Sequence, residues 1–294
     1  MNQDPYQIDR RAVRRAFSAA SSKYDQFAVL QTEVREQLLQ RLNWLKQEPD
    51  TILDLGCGTG LASQHLQRRY PKAQVIAMDA ALGMLQRAKH QQSFIQRWFG
   101  QGFSRVCADA FQLPFKTASM DMVFSNLMLQ WCDPPDAVFA EILRVLKPSG
   151  VFLFSSLGPD TLHELRQAWA TVDQHTHVNR FIDMHDLGDA MMRAGMAEPV
   201  LDVERFTLTY PDVMGLMRDL KVIGAHNVTA GRAAGLTGVN ALKRMALAYE
   251  QHRRDDVLPA SYEVVYGQAW GHDKKIPTPR SEVRIAVSEV GRRR

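Results

Sequence analysis

Cysteine is scarce in this 294-residue chain, with three residues, Cys57, Cys107 and Cys132. None belongs to a C-x-x-C pair, and an odd number argues against a closed disulfide framework. A reducing, cytoplasmic setting suits such a chain. The nine histidines show no H-x-x-x-H or H-E-x-x-H spacing, and the nearest pair, His175 and His177, reads as part of a loop, so no metal site is expected. No apolar run approaches the roughly 20 residues that cross a bilayer, which argues against a membrane partner. Met1 to Asp9 carry acids and no apolar stretch, so no secretory signal is expected. Arg10–Ala20 is basic and Ser/Ala-rich like a transit segment, but Asp4, Asp9 and Asp25 flank it, and transit segments are poor in acids. There is no internal repeat and no low-complexity block. A net charge of +4 is too small to point to nucleic acid.

What is present is ordinary globular composition, 45% hydrophobic and 23% charged, in a length that suits one large domain, or one domain with an inserted lid. Arg11–Phe17 and Val29–Trp44 read as helices; the second repeats Val34, Leu38 and Leu42 at helical spacing. Short apolar strands follow at Thr51–Leu55, Gln74–Asp79, Ser104–Asp109, Met120–Ser125 and Gly150–Ser156. Helices are expected between them at Leu61–Arg69, Ala81–His90 and Pro135–Leu146. This alternation marks a parallel sheet with helices on both faces. The second half is less regular. It reads as helices at Thr161–Val172, Met184–Gly195, Asp212–Gly224 and Gly238–His252, with strands at Pro199–Tyr210 and Pro259–Trp270. The helices between the last two strands are the natural place for a lid.

The central motif is Ile52-Leu-Asp-Leu-Gly-Cys-Gly-Thr-Gly60, a buried strand running into a glycine-rich turn and then a helix. Glycines let the backbone turn tightly and let a ligand lie against it. Dinucleotide sites share this device, but the spacing here is G-x-G-x-G rather than G-x-G-x-x-G. Asp54 also precedes the first glycine, where a carboxylate repels a pyrophosphate but accepts the ammonium of an amino-acid moiety. Asp79 ends the second strand, placed for two ribose hydroxyls. Asp109 and Ala110 end the third, where an acid and a backbone N–H can meet an adenine. Ser125 and Asn126 end the fourth and face the same crevice. Ligands in such sheets bind beyond the carboxyl ends of the strands.

This set and order resemble the class I S-adenosylmethionine-dependent methyltransferases. The resemblance implies a Rossmann-like α/β fold, a seven-stranded, mostly parallel sheet with helices on both faces and a helical lid between the last two strands. It implies S-adenosylmethionine as cofactor, held by Asp54, Gly56, Cys57, Gly58, Asp79, Ala80, Asp109, Ala110, Asn126 and Leu127. The expected organisation is N-terminal helices over the cofactor in residues 1–47 and a methyltransferase domain in 48–271, with lid helices at about 211–256. Residues 272–294 read as a basic tail.

A closer resemblance rests on Phe17-Ser-Ala-Ala-Ser-Ser-Lys-Tyr-Asp25, Ser125-Asn-Leu-Met-Leu-Gln-Trp-Cys-Asp133 and Leu162-His-Glu-Leu-Arg-Gln-Ala-Trp169, with His177-Val-Asn-Arg-Phe181 and Leu220-Lys-Val-Ile-Gly-Ala225. These are similar to the malonyl-acyl-carrier-protein O-methyltransferases of biotin synthesis. The resemblance implies methylation of the free carboxylate of a malonyl thioester, carried on acyl carrier protein or on coenzyme A, by a monomer. That carboxylate is ionised near pH 7, so no general base is required. The protein has to align the groups and exclude water. Candidate positioning residues are Tyr24, which can close over the cofactor, and Arg166, Arg180 and Lys221, which can clamp the carboxylate. Trp131 either shields the methyl group or packs under the sheet. Acyl carrier proteins are acidic, and Arg10, Arg11, Arg14 and Arg15 can form a docking face on the first helix.

Other strings, Asp160-Thr-Leu-His-Glu-Leu-Arg166, Asp186-Leu-Gly-Asp189 and Leu258-Pro-Ala-Ser-Tyr262, resemble a methyltransferase-fold arginine hydroxylase that serves complex I assembly. Thr59, where that family tends to carry a basic residue, and Gln130 and Cys132 depart from it. A small-molecule methyltransferase is a further alternative.

Overall fold

The computed structural model describes residues 6–91, 102–232, 235 and 237–271; the basic tail at 272–294 lies outside them. Seven strands form one sheet: β1 (Thr51–Leu55), β2 (Gln74–Asp79), β3 (Ser104–Cys107), β4 (Met120–Ser125), β5 (Leu146–Leu157), β6 (Ala197–Tyr210) and β7 (Leu258–Trp270). Their order is β3-β2-β1-β4-β5-β7-β6. The first five strands run parallel, while β7 is antiparallel to both β5 and β6. The expected sheet is therefore present, with its one reversal at β7. Strand order switches direction between β1 and β4, and the crevice for a ligand opens there, beyond their carboxyl ends.

β1 shows why the sheet is buried on both sides. Every residue from Ile52 to Leu55 is buried, and successive side chains point to opposite faces. Ile52 packs on one face with Leu30, Val34 and Leu38 of α3 (Val29–Arg41) and Leu66 of α4 (Leu61–Arg69). Leu53 and Leu55 pack on the other with Val138, Phe139 and Ile142 of α6 (Pro135–Val145) and with Leu187 of α8 (Met184–Ala194). The remaining helices are α1 (Arg10–Ala20), α2 (Tyr24–Phe27), α5 (Leu82–His90), α7 (His163–Ala170), α9 (Val213–Val222) and α10 (Val239–Tyr249). Among the described residues no helix is long and apolar enough to cross a membrane.

Several boundaries differ from expectation, and three of them have a clear local reason. β3 ends at Cys107, so Asp109 sits in a loop with its carboxylate accepting the Phe111 N–H. β5 starts four residues early, because Leu146 pairs with Met120 before an irregularity in register. α7 starts at His163 rather than Thr161. Thr161 is tied by its hydroxyl to the Glu263 carbonyl, and Leu162 takes a left-handed φ of 54°.

At Gly267 on β7 an added Cβ would lie 2.2 Å from the Phe154 ring. Gly267→Ala is expected to destabilise the fold by about 1–3 kcal/mol, as overpacking does. The check is a lower denaturant midpoint at unchanged slope.

Candidate functional site

The glycine turn after β1 has φ of 75° at Gly56, 55° at Gly58 and 83° at Gly60, a backbone that side chains resist. The N–H groups of Gly56 and Cys57 both donate to the Met78 carbonyl, and that of Gly58 donates to the Asp79 carboxylate at 2.9 Å. The other Asp79 oxygen accepts the Ala81 N–H at 2.7 Å. Asp79 thus ties the turn to the end of β2. Burial raises its carboxyl above the ordinary value. Burial also raises the Cys57 thiol, so its side chain is an inert wall.

The strand tips converge on one cavity. Gly56, Gly58, Asp79, Ala80, Asp109, Ala110, Asn126 and Leu127 all line it. Its cover is α1, through Arg10, Val13, Arg14 and Phe17. Asp9 caps that helix by accepting the Arg11 and Ala12 N–H groups. The chain before it is stitched down by the Ile8–Thr229 bridge. Arg10 pairs with Asp109 at 3.7 Å and lies 4.3 Å from the centre of the Phe111 ring. All four arginines expected on one docking face are exposed, and Arg10 and Arg14 line the cavity as well.

Asp54 and Cys57 lie in an adjoining chamber that shares Tyr24, Gly56, Gly58 and Asn126 with the first. Asp54 is buried and accepts the Ser63 hydroxyl. Burial pushes its carboxyl up to about 7, and Asp79 adds to the rise. Facing the same chamber is Arg35 of α3, which sequence reading missed. Its Nη2 donates to Glu36 at 2.9 Å, but its Nε is buried with no partner. A buried orphan donor is costly, and it calls for an acceptor supplied from the chamber. The signal in the sequence was faint: Gln31, Thr32 and Arg35 share one helix face beside the apolar stripe.

A pH dependence follows. In the free protein Asp54 keeps its proton up to about pH 7, whereas an ammonium ligand favours the carboxylate. Binding should release that proton and tighten roughly 5–10-fold from pH 6 to 7.5, below the range where an α-amino group itself titrates. Calorimetry should show the slope, and Asp54→Asn should flatten it. The same shift has the opposite sign for folding. The unfolded chain loses this proton near the ordinary value of 3.8 and the folded chain only near 7, so this group's contribution to stability falls as pH rises through that window.

Tyr24 lines the first cavity, the adjoining chamber and a third, inner pocket. Burial, then the nearby Asp79 and Asp25, holds its hydroxyl protonated, a donor at neutral pH. Phe17 and Trp131 stand beside it, their rings edge to face at 5.3 Å, and both line the cavity and the inner pocket. Leu127 completes the partition with a φ of 49° and donates its N–H to the Ser155 carbonyl. The inner pocket is walled mainly by apolar groups, with Gln130, Asn179, Tyr210 and Asp219 among its polar members. The region expected as a lid contributes through α9, by Asp219 and Leu220, whereas α10 buries Met245 and Tyr249 in the core.

The three expected basic clamps lie elsewhere. Arg166 and Arg180 are exposed and line a wider cleft next to the inner pocket. Lys221 is exposed in the last turn of α9 and lines none of the described cavities.

Residues 53–154 match the methyltransferase-domain family. A relative from Methylovorus sp., named malonyl-(acyl-carrier protein) O-methyltransferase, is 53% identical over 95% of both chains. One of the same name from Gallionella capsiferriformans is 53% identical over 93% of both. The chain belongs to this malonyl-(acyl-carrier protein) O-methyltransferase family. Its fold is shared more widely: a proposed methyltransferase from Bacillus halodurans superposes with a TM-score of 0.56 at 18% identity, covering 81% of this chain and 99% of that one. The family uses S-adenosylmethionine, and the site fits that molecule. Glycine backbone free of side chains borders the cavity, an acid stands at the carboxyl end of β2, and Arg35 offers an unsatisfied buried donor.

Proposed function

We propose that this protein methylates the free carboxylate of malonyl-acyl-carrier protein. The observation that carries the reading is the shared wall of Tyr24, Phe17, Leu127 and Trp131, which joins a cofactor cavity to a secluded inner pocket. Bound in the cavity, S-adenosylmethionine supplies an activated methyl on sulfonium, which the malonyl carboxylate takes to become the methyl ester, leaving S-adenosylhomocysteine. Asp79 and Ala80 hold the sugar end, Asp109 and Ala110 the base, and Asp54 and Arg35 the amino acid's ammonium and carboxylate. Asn126 fixes the partition, its amide donating to the Gln31 carbonyl and its oxygen accepting from Ser155. Tyr24 donates to the acceptor carboxylate and orients it. Phe17 and Trp131 exclude water. No side chain has to remove a proton, because the nucleophile arrives ionised. Within the N-terminal region α1 acts as the cover, and α9 as the near half of a lid. The proposal extends to a cytoplasmic monomer that uses neither nucleic acid nor membrane, in line with the weak net charge and the unpaired cysteines.

The test is the intact mass of malonyl-loaded carrier protein after incubation with S-adenosylmethionine. A gain of one methyl on the malonyl form, and none on the unloaded carrier, is the expected result; an unchanged mass would reject the reading. Tyr24→Phe should lower kcat/KM about 10–100-fold, the worth of one hydrogen bond to a charged group. Cofactor affinity should stay within about twofold, so a comparable loss of cofactor binding would place Tyr24 on the wrong ligand.

A further inference from the structure

Resting on that reading, we infer that the wide cleft beside α7 receives the phosphopantetheine arm of the substrate, with Gln130 bonding an arm amide and Arg180 taking the phosphate. The cleft and the inner pocket share Gln130, Asn179 and Phe181, so one leads into the other.

Gln130 carries the argument. Its Nε2 donates to the Leu127 carbonyl at 2.7 Å, which fixes the orientation of the amide, since that partner accepts and cannot donate. Its Oε1 is buried and has no partner. It therefore needs a donor from the ligand. An ionised malonyl carboxylate has none, and neither has a thioester. The arm behind the thioester has two amide N–H groups, and one of them meets the need. Along the cleft, the buried Trp169 stacks on His177 with ring centres 3.8 Å apart and planes within 4°. This gives a flat wall for the arm's apolar links.

At the exposed side, Arg180 lies 5.8 Å from the centre of the Tyr6 ring and forms no ion pair among the described residues. Arg166 lines the same cleft and donates to the carbonyls of Pro159 and Thr161, which leaves its charge without a carboxylate. Carboxylates line the cleft as well, those of Asp133, Asp173, Asp183 and Asp186, and the first three have partners within the protein. Asp173 accepts from His177 and from the His175 N–H. Asp183 caps α8, and Asp186 lies in its first turn, where the helix dipole favours an acid. An exposed arginine outside the inner pocket suits the distant phosphate better than the carboxylate that must reach Tyr24.

The experiment titrates the full-length protein with pantetheine 4′-phosphate and with pantetheine, which lacks the phosphate. The phosphorylated arm should bind at least tenfold tighter. Arg180→Met should shrink that preference to within twofold, and Gln130→Leu should weaken both ligands about tenfold while S-adenosylmethionine affinity stays within twofold. Equal binding of the two arms by the wild-type protein, or a preference that survives Arg180→Met, would overturn the assignment. In turnover, Arg180→Met should raise KM for malonyl-phosphopantetheine and leave kcat within twofold. The titration involves no methyl transfer, so arm discrimination without methylation would count against the activity reading alone. Methylation without discrimination would count against the arm site alone.

Discussion

Asp79→Ala should weaken S-adenosylmethionine binding by at least 10–100-fold, about 1.5–3 kcal/mol, because two charge-assisted hydrogen bonds to the ribose are lost together. Each Asp79 oxygen already accepts one backbone N–H, from Gly58 or Ala81, and each has a further lone pair for a sugar hydroxyl. The substitution therefore also loosens the glycine turn and the first turn of α5. Asp79→Asn keeps one acceptor and should fall between the wild type and alanine. The asparagine also sets its NH2 against one of those two backbone N–H groups, so it should cost some stability, less than the alanine does. Calorimetry paired with a thermal melt separates the outcomes. Weak binding with a preserved melt supports the assignment, and unchanged binding removes the ribose from Asp79.

Arg35→Met is the second large effect, an expected loss of about 10–100-fold in affinity for S-adenosylmethionine and S-adenosylhomocysteine, the range for a buried charged partner. The guanidinium is mostly sheltered, 12% exposed, and its Nε has no acceptor. Methionine keeps much of the aliphatic stem, so the variant tests the charge more than the packing. The contrast ligand is methylthioadenosine, which has the nucleoside and sulfur but no amino-acid carboxylate. Its affinity should change by less than about threefold. An equal loss for both ligands would mean that Arg35 supports the fold of the chamber rather than the carboxylate.

The group of residues that line the cavity was legible in the sequence because they lie at strand ends. A short apolar run followed by Gly56, Asp79, Asp109 or Asn126 places a side chain by topology alone, and parallel strands bring their carboxyl ends together. The seven strands were legible for the same reason, as apolar runs punctuated by turns. Arg35 was not, because its role depends on which way α3 faces after packing on the sheet. Arg10 illustrates the same limit: four arginines at helical spacing read as one charged face, and only the position of α1 over the crevice shows that two of them also line the cavity. Lys221, Arg166 and Arg180 were read as clamps from their strings. Distance to the inner pocket is a tertiary property, and the three side chains stand outside it. Gln130 lies in a string already recognised, but an unsatisfied oxygen is visible only when its surroundings are known.

The most direct test is a crystal structure of the protein with S-adenosylhomocysteine and a malonyl thioester analogue. The ribose should bond Asp79, the amino-acid carboxylate should reach Arg35, and the malonyl carboxylate should enter the inner pocket beside Tyr24 with the sulfur in line behind it. A nucleoside seated away from the β2 tip, or a malonyl group held on the outer surface, would contradict the account.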